Sequence, residues 1–246
     1  MKKLNKIIKL KDNVTNPQKK GFALHLDQLN TVTVEEHFDI THITSTMTEV
    51  TRAVLGRLDG DTSQPPIVKL KQSMGGGKTH TQLTVAYLAK SPGLVSKYMP
   101  EIEVINKKGT NPVIINGRNN FENGIWTDIA NQLGLGHIFE PLLKHGLTAP
   151  GESDWKKLFQ EAQGKVLIIL DELPPYLAGA AAKPIGGTTL AALTITALSN
   201  LFTAAASVNN VSILLSDLDG EYEETPDFKA KTLTEKQKDA GKNAAN

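Results

Sequence analysis

Apolar residues at Ile43, Met47, Val50, Val54 and Leu58 recur at steps of three and four, the period of a helix with one buried face, and Ser45 or Thr46 stands where a cap is needed. The pattern predicts a helix ending near LDGDTSQPP, where Gly60, Pro65 and Pro66 break the chain. IVKLK then alternates apolar and polar residues and reads as a short strand. It runs into QSMGGGKTH, after which Leu83, Val85, Ala86, Tyr87 and Leu88 supply a second helical stripe that stops at SPG.

The second half repeats this alternation. NPVIING has the length and composition of a buried strand, and GIWTDIANQLG sets Ile125, Ile129 and Leu133 on one helical face with Gly134 as its stop. HIFEPLLKHGLTAPGESDWKKLFQEA carries two shorter helical patterns separated by TAPG. KVLIIL has five successive apolar residues after Lys165, so that strand needs cover on both faces; it ends abruptly in DELPP. LAGAAAKPIGGTT reads as a loop of small residues. Leu190, Leu193, Ala197, Leu201 and Ala205 form another helical stripe, opposite a polar but chargeless face of Thr196, Ser199, Asn200, Thr203 and Ser207 that suits solvent or another surface equally. VSILLSD is the fourth strand. Strands separated by helical crossovers pair in parallel, and ligands of such sheets sit at the carboxyl ends of the strands.

Composition narrows the class without naming a function. The 246 residues support one sizeable core, and 39% hydrophobic with 22% charged residues fits a globular chain. A net charge of +1 gives no global pull towards nucleic acid or membrane. The absence of cysteine excludes a disulfide framework and fits the cytoplasm. The six histidines lack paired ligand spacing, so no metal is assigned to them. Pro184 to Ser216 is uncharged but too rich in Thr, Ser and Asn for a bilayer, so no membrane contact is expected. Residues 1–34 read as a basic arm and lead-in, 35–217 as the core, and 218–246 as a polar tail too poor in large apolar residues to fold alone.

The chemistry lies in the glycine run. A strand–loop–helix passage with consecutive glycines lets backbone N–H groups converge, and the helix that follows adds the positive end of its dipole; phosphate is the natural occupant. Ser73, Met74, Gly75, Gly76, Gly77, Lys78, Thr79 and His80 would surround a nucleotide's phosphates, with the Lys78 ammonium on the β- and γ-phosphates and the Thr79 hydroxyl on Mg²⁺. Gln72 stands where the usual pattern has its first glycine. Asp171, at the end of the apolar strand, is placed to hold Mg²⁺, and Glu172 to polarise a water in line with the γ-phosphate. Ser216 and Asp217 end the fourth strand, where a polar group can sense the γ-phosphate; Asn116 and Arg118 fall near the expected mouth.

KLKQSMGGGKTHTQLTVAYLA, GIWTDIANQLG, TAPG and VLIILDELPPYLAG, in that order, resemble the large AAA-like P-loop ATPases filed as domain of unknown function 499, over roughly residues 35 to 217. The resemblance implies ATP and Mg²⁺ as cofactors, Gly75 to Thr79 as the binding loop, and Asp171 and Glu172 as metal-associated and catalytic acids. It further implies a place beside DNA methyltransferases or nucleases in phage defence. Members are much longer, so this chain is expected to be a truncated or split part. The resulting expectation is an α/β P-loop NTPase of the additional-strand, AAA-like type: a three-layer sandwich with a mainly parallel sheet, incomplete and without a helical lid. It would hydrolyse ATP, with Lys78 and Glu172 as catalytic residues. No arginine finger is evident, so an oligomer is one way to supply it.

Two other readings stay open. A nucleotide-gated module would dock a DNA-processing partner with little turnover. A small-molecule kinase would need an arginine-bearing lid, and no arginine follows Asp217. Direct nucleic-acid contact is not readable, since the lysine-rich first eleven residues suit phosphates and water alike.

Overall fold

The computed structural model describes residues 25–72, 77–119, 122–144 and 146–218. A short 3₁₀ turn at Leu26–Asn30 leads into α1 (Val34–Ile40), opened by a capping box in which Thr33 and Glu36 satisfy each other's backbone N–H groups. In α2 (Ser45–Leu58) the cap is Thr44, one residue before the expected positions; its hydroxyl accepts from the Met47 N–H at 3.2 Å. Next come β1 (Ile67–Gln72), α3 (Lys78–Lys90), the one-turn α4 (Val95–Tyr98) and β2 (Val113–Asn116). The series continues with α5 (Ile125–Gln132), α6 (Glu152–Glu161), β3 (Val166–Asp171) and α7 (Leu173–Ala181). A two-residue hairpin, β4 (Pro184–Ile185) and β5 (Thr188–Thr189), precedes α8 (Leu190–Ala206) and β6 (Val211–Leu218).

The four long strands form one parallel sheet in the order β1-β6-β3-β2. Side chains alternate across it. Leu70, Leu167, Ile169 and Leu214 face a layer made by α1, α2 and α3, whereas Val113, Ile115, Val166, Ile168, Leu170, Val211 and Ile213 face α5, α6, α7 and α8. Helices therefore cover both faces, and β3 is buried along its whole length, as its unbroken apolar run requires. Leu26 and Leu29 pack into the first of these layers. No described helix is long and apolar enough to cross a membrane.

Three expectations change. β2, read as fully buried, is a sheet edge among the described residues, with Ile114 half-buried. The start of the small-residue loop, as far as Ala181, is helical: the two prolines before it fit the first turn of α7, where a helix has no N–H to lose, and its alanines favour continuation, while the rest of the loop holds β4 and β5. Of the two helical patterns around TAPG, the first is a pair of 3₁₀ turns, Gly136–Ile138 and Glu140–Leu142, and only the second is an α-helix. On α8 the chargeless face is mostly exposed, except that Asn200 turns inward and donates to the Pro150 carbonyl at 2.9 Å. The end of α8 is held from across the sheet edge: buried Arg57 of α2 donates to the carbonyls of Ala205 at 3.2 Å and Val208 at 2.7 Å.

Candidate functional site

β2 and β3 end in register, whereas β1 and β6 run on for two residues, to Gln72 and Leu218. Leu70 of β1 lies opposite Ser216 of β6, and Asn116 of β2 lies opposite Asp171 of β3. Ser216 closes the row by donating its hydroxyl to Asp171 Oδ1. β6 thus separates the strand that feeds the glycine run from the strand that carries the acids, a spacing of roughly 10 Å.

By alternation with Ile169 and Leu214, Asp171 and Ser216 face the layer that holds α3. α3 begins at Gly77, whose φ of +82° belongs to the left-handed region that glycine tolerates, and the helix packs on β3 and β6. Lys78, Thr79 and His80 form its first turn and are half-buried. Ser73, Met74, Gly75 and Gly76 lie outside the described residues.

Asp171 is 6% exposed, and burial pushes its pKa up; the neighbouring Glu172 carboxylate adds to that, and the Ser216 hydroxyl opposes it. The Gln82 carboxamide, fully buried one turn into α3, is near enough to lower the same pKa slightly, yet neither its Nε2 nor its Oε1 makes a hydrogen bond of ordinary geometry. An orphaned buried amide beside a buried carboxylate marks a place that polar atoms would complete. The Asp171 carboxylate and the Ser216 hydroxyl there are hard oxygens of the kind Mg²⁺ takes.

Glu172 is engaged elsewhere. It sits at φ +53°, capping α7, and Arg118 grips its carboxylate with two nitrogens: Nε donates to Oε2, and Nη2 donates to Oε1 at 2.9 Å. Arg118 is placed by Asn116, whose Oδ1 accepts from the Arg118 N–H at 3.0 Å. Between them Gly117 donates its N–H to the Asp171 carbonyl at 2.8 Å, and a Cβ there would meet the Glu172 carbonyl oxygen at 1.9 Å. Only glycine fits.

His80 belongs to a second polar group. The Thr41 hydroxyl spends its one proton on the His37 carbonyl at 2.6 Å, so its 2.6 Å contact with His80 Nε2 makes that nitrogen the donor. Burial lowers the His80 pKa, so the ring tends to be neutral, and Nδ1 is then an acceptor. His37 Nε2 bonds Thr84 Oγ1 at 2.9 Å, its ring 5.0 Å from that of His80.

The larger hollow, about 350 Å³, lies along the β2 edge beside Asn116, Asp128 and Gln132 and does not reach Asp171. A smaller one, about 240 Å³, borders Gly117, Arg118, Tyr176 and Lys183.

The structure thus joins Asp171 to Ser216 in the α3 layer and draws Glu172 to Arg118. Gln82, Gly117 and Thr41 were not read from the chain. Gln82 follows Lys78 by four residues, one helical turn, and that spacing could have flagged it. Nothing local links Thr41 to His80, 39 residues on.

No curated protein and no solved structure matches the chain. A family model does: the DUF499 N-terminal domain matches residues 29–110, about a third of the chain, from the turn before α1 to the residues just before β2. That match supports the DUF499 family for the part of the chain that carries the glycine run and α3.

Proposed function

We propose that this protein binds ATP with Mg²⁺ at the carboxyl ends of β1, β6 and β3 and hydrolyses it, as an α/β P-loop NTPase of the additional-strand type. The observation that carries this reading is the row of Leu70, Ser216, Asp171 and Asn116 in register near the carboxyl edge of the sheet. Asp171 and Ser216 share a hydrogen bond in the layer of α3, with β6, the strand of Ser216, lying between Asp171 and the strand that feeds the glycine run.

The first turn of α3 would turn its amides and the positive end of its dipole to the phosphates, and Lys78 would add a full charge. Thr79 and Asp171 would hold Mg²⁺, which when bound neutralises phosphate oxygens and stabilises the charge that develops on transfer. Among the described residues no three His, Asp or Glu side chains converge on one point, so the remaining ligands would come from the nucleotide and water. Glu172 would orient the attacking water. His80, fixed by Thr41, would lie beside the same phosphates.

The motif resemblance alone suggests, more distantly, work beside a DNA-modifying or DNA-cutting partner in the cytoplasm.

The test is titration of ATP with phosphate release read in the same samples. Wild type is expected to bind Mg-ATP and release phosphate. Lys78→Ala should bind at least tenfold more weakly, and Glu172→Gln should bind normally but turn over at least a hundredfold more slowly, within the span of general-base losses. Unchanged ATP binding by Lys78→Ala would refute the site.

A further inference from the structure

Gln82 is polar where an apolar residue would pack better. On α3 it shares a face with Lys78 and Thr79, one turn deeper, and the same face continues below it as Val85, Ala86 and Ala89, buried in one apolar cluster with Leu167, Ile169 and Leu214 of the sheet. Gln82 is fully withdrawn from water, and among the described residues it alone leaves two buried side-chain polar atoms, Nε2 and Oε1, without a hydrogen bond of ordinary geometry. The Asp171 carboxylate, held at Oδ1 by Ser216, is within reach of that carboxamide. Resting on the ATPase reading, we propose that Gln82 is a positioning residue for Asp171: its buried carboxamide steadies the carboxylate that holds Mg²⁺, and in doing so lowers the stability of the protein without nucleotide.

A carboxamide that serves architecture alone is saturated. Gln132 shows this in the same molecule: its Nε2 donates to the Ile114 carbonyl and to Asp128, both at 2.8 Å, and its Oε1 accepts from the Ile114 N–H at 2.9 Å. Gln82 makes none of the equivalent bonds. A buried amide without partners is destabilising, so methionine or leucine, of similar volume, would hold α3 to the sheet better.

What the carboxamide has and those side chains lack is two donors and an acceptor. Ser216 reaches Asp171 from the neighbouring strand, and Gln82 reaches it from the helix that lies over the strand. Support from two elements limits the turning of the carboxylate about its own side-chain bond, and Oε1 is an acceptor of the kind that a water on Mg²⁺ can use. Groups that orient a metal's ligand in this way carry about ten- to a hundredfold in metal affinity or activity.

The experiment measures ATP dissociation constants with Mg²⁺ and in EDTA, the Mg²⁺ concentration for half-maximal phosphate release, and the melting temperature without nucleotide. The proteins are wild type, Gln82→Met, Gln82→Leu, Asp171→Asn and Asp171→Asn combined with Gln82→Met. Gln82→Met should bind Mg-ATP about tenfold or more weakly and raise the Mg²⁺ requirement by as much, while ATP binding in EDTA changes less than about twofold. Its melting temperature should rise by roughly 2–4 °C, a gain that damage to the fold would not give. In the Asp171→Asn background the added Gln82→Met should move the Mg²⁺ requirement less than about twofold, because its effect passes through the carboxylate. An unchanged Mg²⁺ requirement in Gln82→Met, with ATP still bound, overturns the proposal and leaves the ATPase reading standing. So does a loss of equal size with and without Mg²⁺, or a lower melting temperature. Should Gln82→Met not fold, Gln82→Leu decides by the same measurements, and failure of both to fold would make the carboxamide structural and overturn the proposal. Wild type that binds no ATP overturns both readings.

Discussion

His37 is an imidazole almost fully withdrawn from water, 1% exposed, packed among His80, Tyr87 and Phe38 and bonded to Thr84. Burial, reinforced by His80, lowers its pKa to about 4. The unfolded chain binds a proton near the ordinary value of 6.5, so between 6.5 and about 4 the unfolded state holds more protons than the folded one. The stability that His37 contributes is therefore complete above pH 6.5 and drains away as pH falls towards 4, by ~2–3 kcal/mol at the lower end. Urea midpoints measured from pH 7 to pH 4.5 should fall for wild type, and His37→Gln should flatten the slope. An equal slope in both would refute the assignment. None of this was legible in the chain, because the imidazole's partners come from α3, more than forty residues away. The same holds for Gly117, whose need for hydrogen in place of Cβ arises only when β2 meets the end of β3.

At the scale of elements, periodicity located helices and strands wherever one face is buried, and it weakened where the environment is uniform or the chain ends. α3 is buried nearly all round from Thr81 to Ala89, so its stripe understates its contact, and α7 was hidden by prolines that start a helix as readily as they break one. The β2 edge shows what pattern cannot. Gln132 of α5 donates to the Ile114 carbonyl at 2.8 Å and accepts from the Ile114 N–H at 2.9 Å, so one carboxamide occupies the outward groups that another strand would take. Gln132→Ala should cost about 1 kcal/mol and, more tellingly, promote self-association at high concentration, read by analytical ultracentrifugation. A variant that stays monomeric at every concentration where wild type does would remove this role.

For the whole molecule, the sheet divides the apolar interior of the described residues into two clusters, one on each face. Val54 is fully buried in the cluster with α2 and α3, and Ile129 is fully buried in the cluster with α5 to α8. Val54→Ala and Ile129→Val should each destabilise by about 1 kcal/mol or somewhat more, and the double variant should equal their sum within about 0.5 kcal/mol. Chemical denaturation of the four proteins measures this, and a coupling well above that figure would show that the two clusters are not independent. The parallel arrangement and the position of Asp171 at a strand end were legible from the alternation of apolar runs with helical stripes, whereas β6 runs two residues past Ser216. The order of the strands was not, since β6, last in the chain, inserts between β1 and β3.

That insertion makes the row Leu70, Ser216, Asp171 and Asn116 a gauge of alignment. A strand that slid by a single residue would turn its side chains over, sending the Asp171 carboxylate into the oily compartment behind the sheet and bringing Leu170 forward in its place. Such a chain could keep much of its helix content and compactness while being chemically blank, so recovery of nucleotide binding after denaturation measures correct zippering in a way that circular dichroism does not.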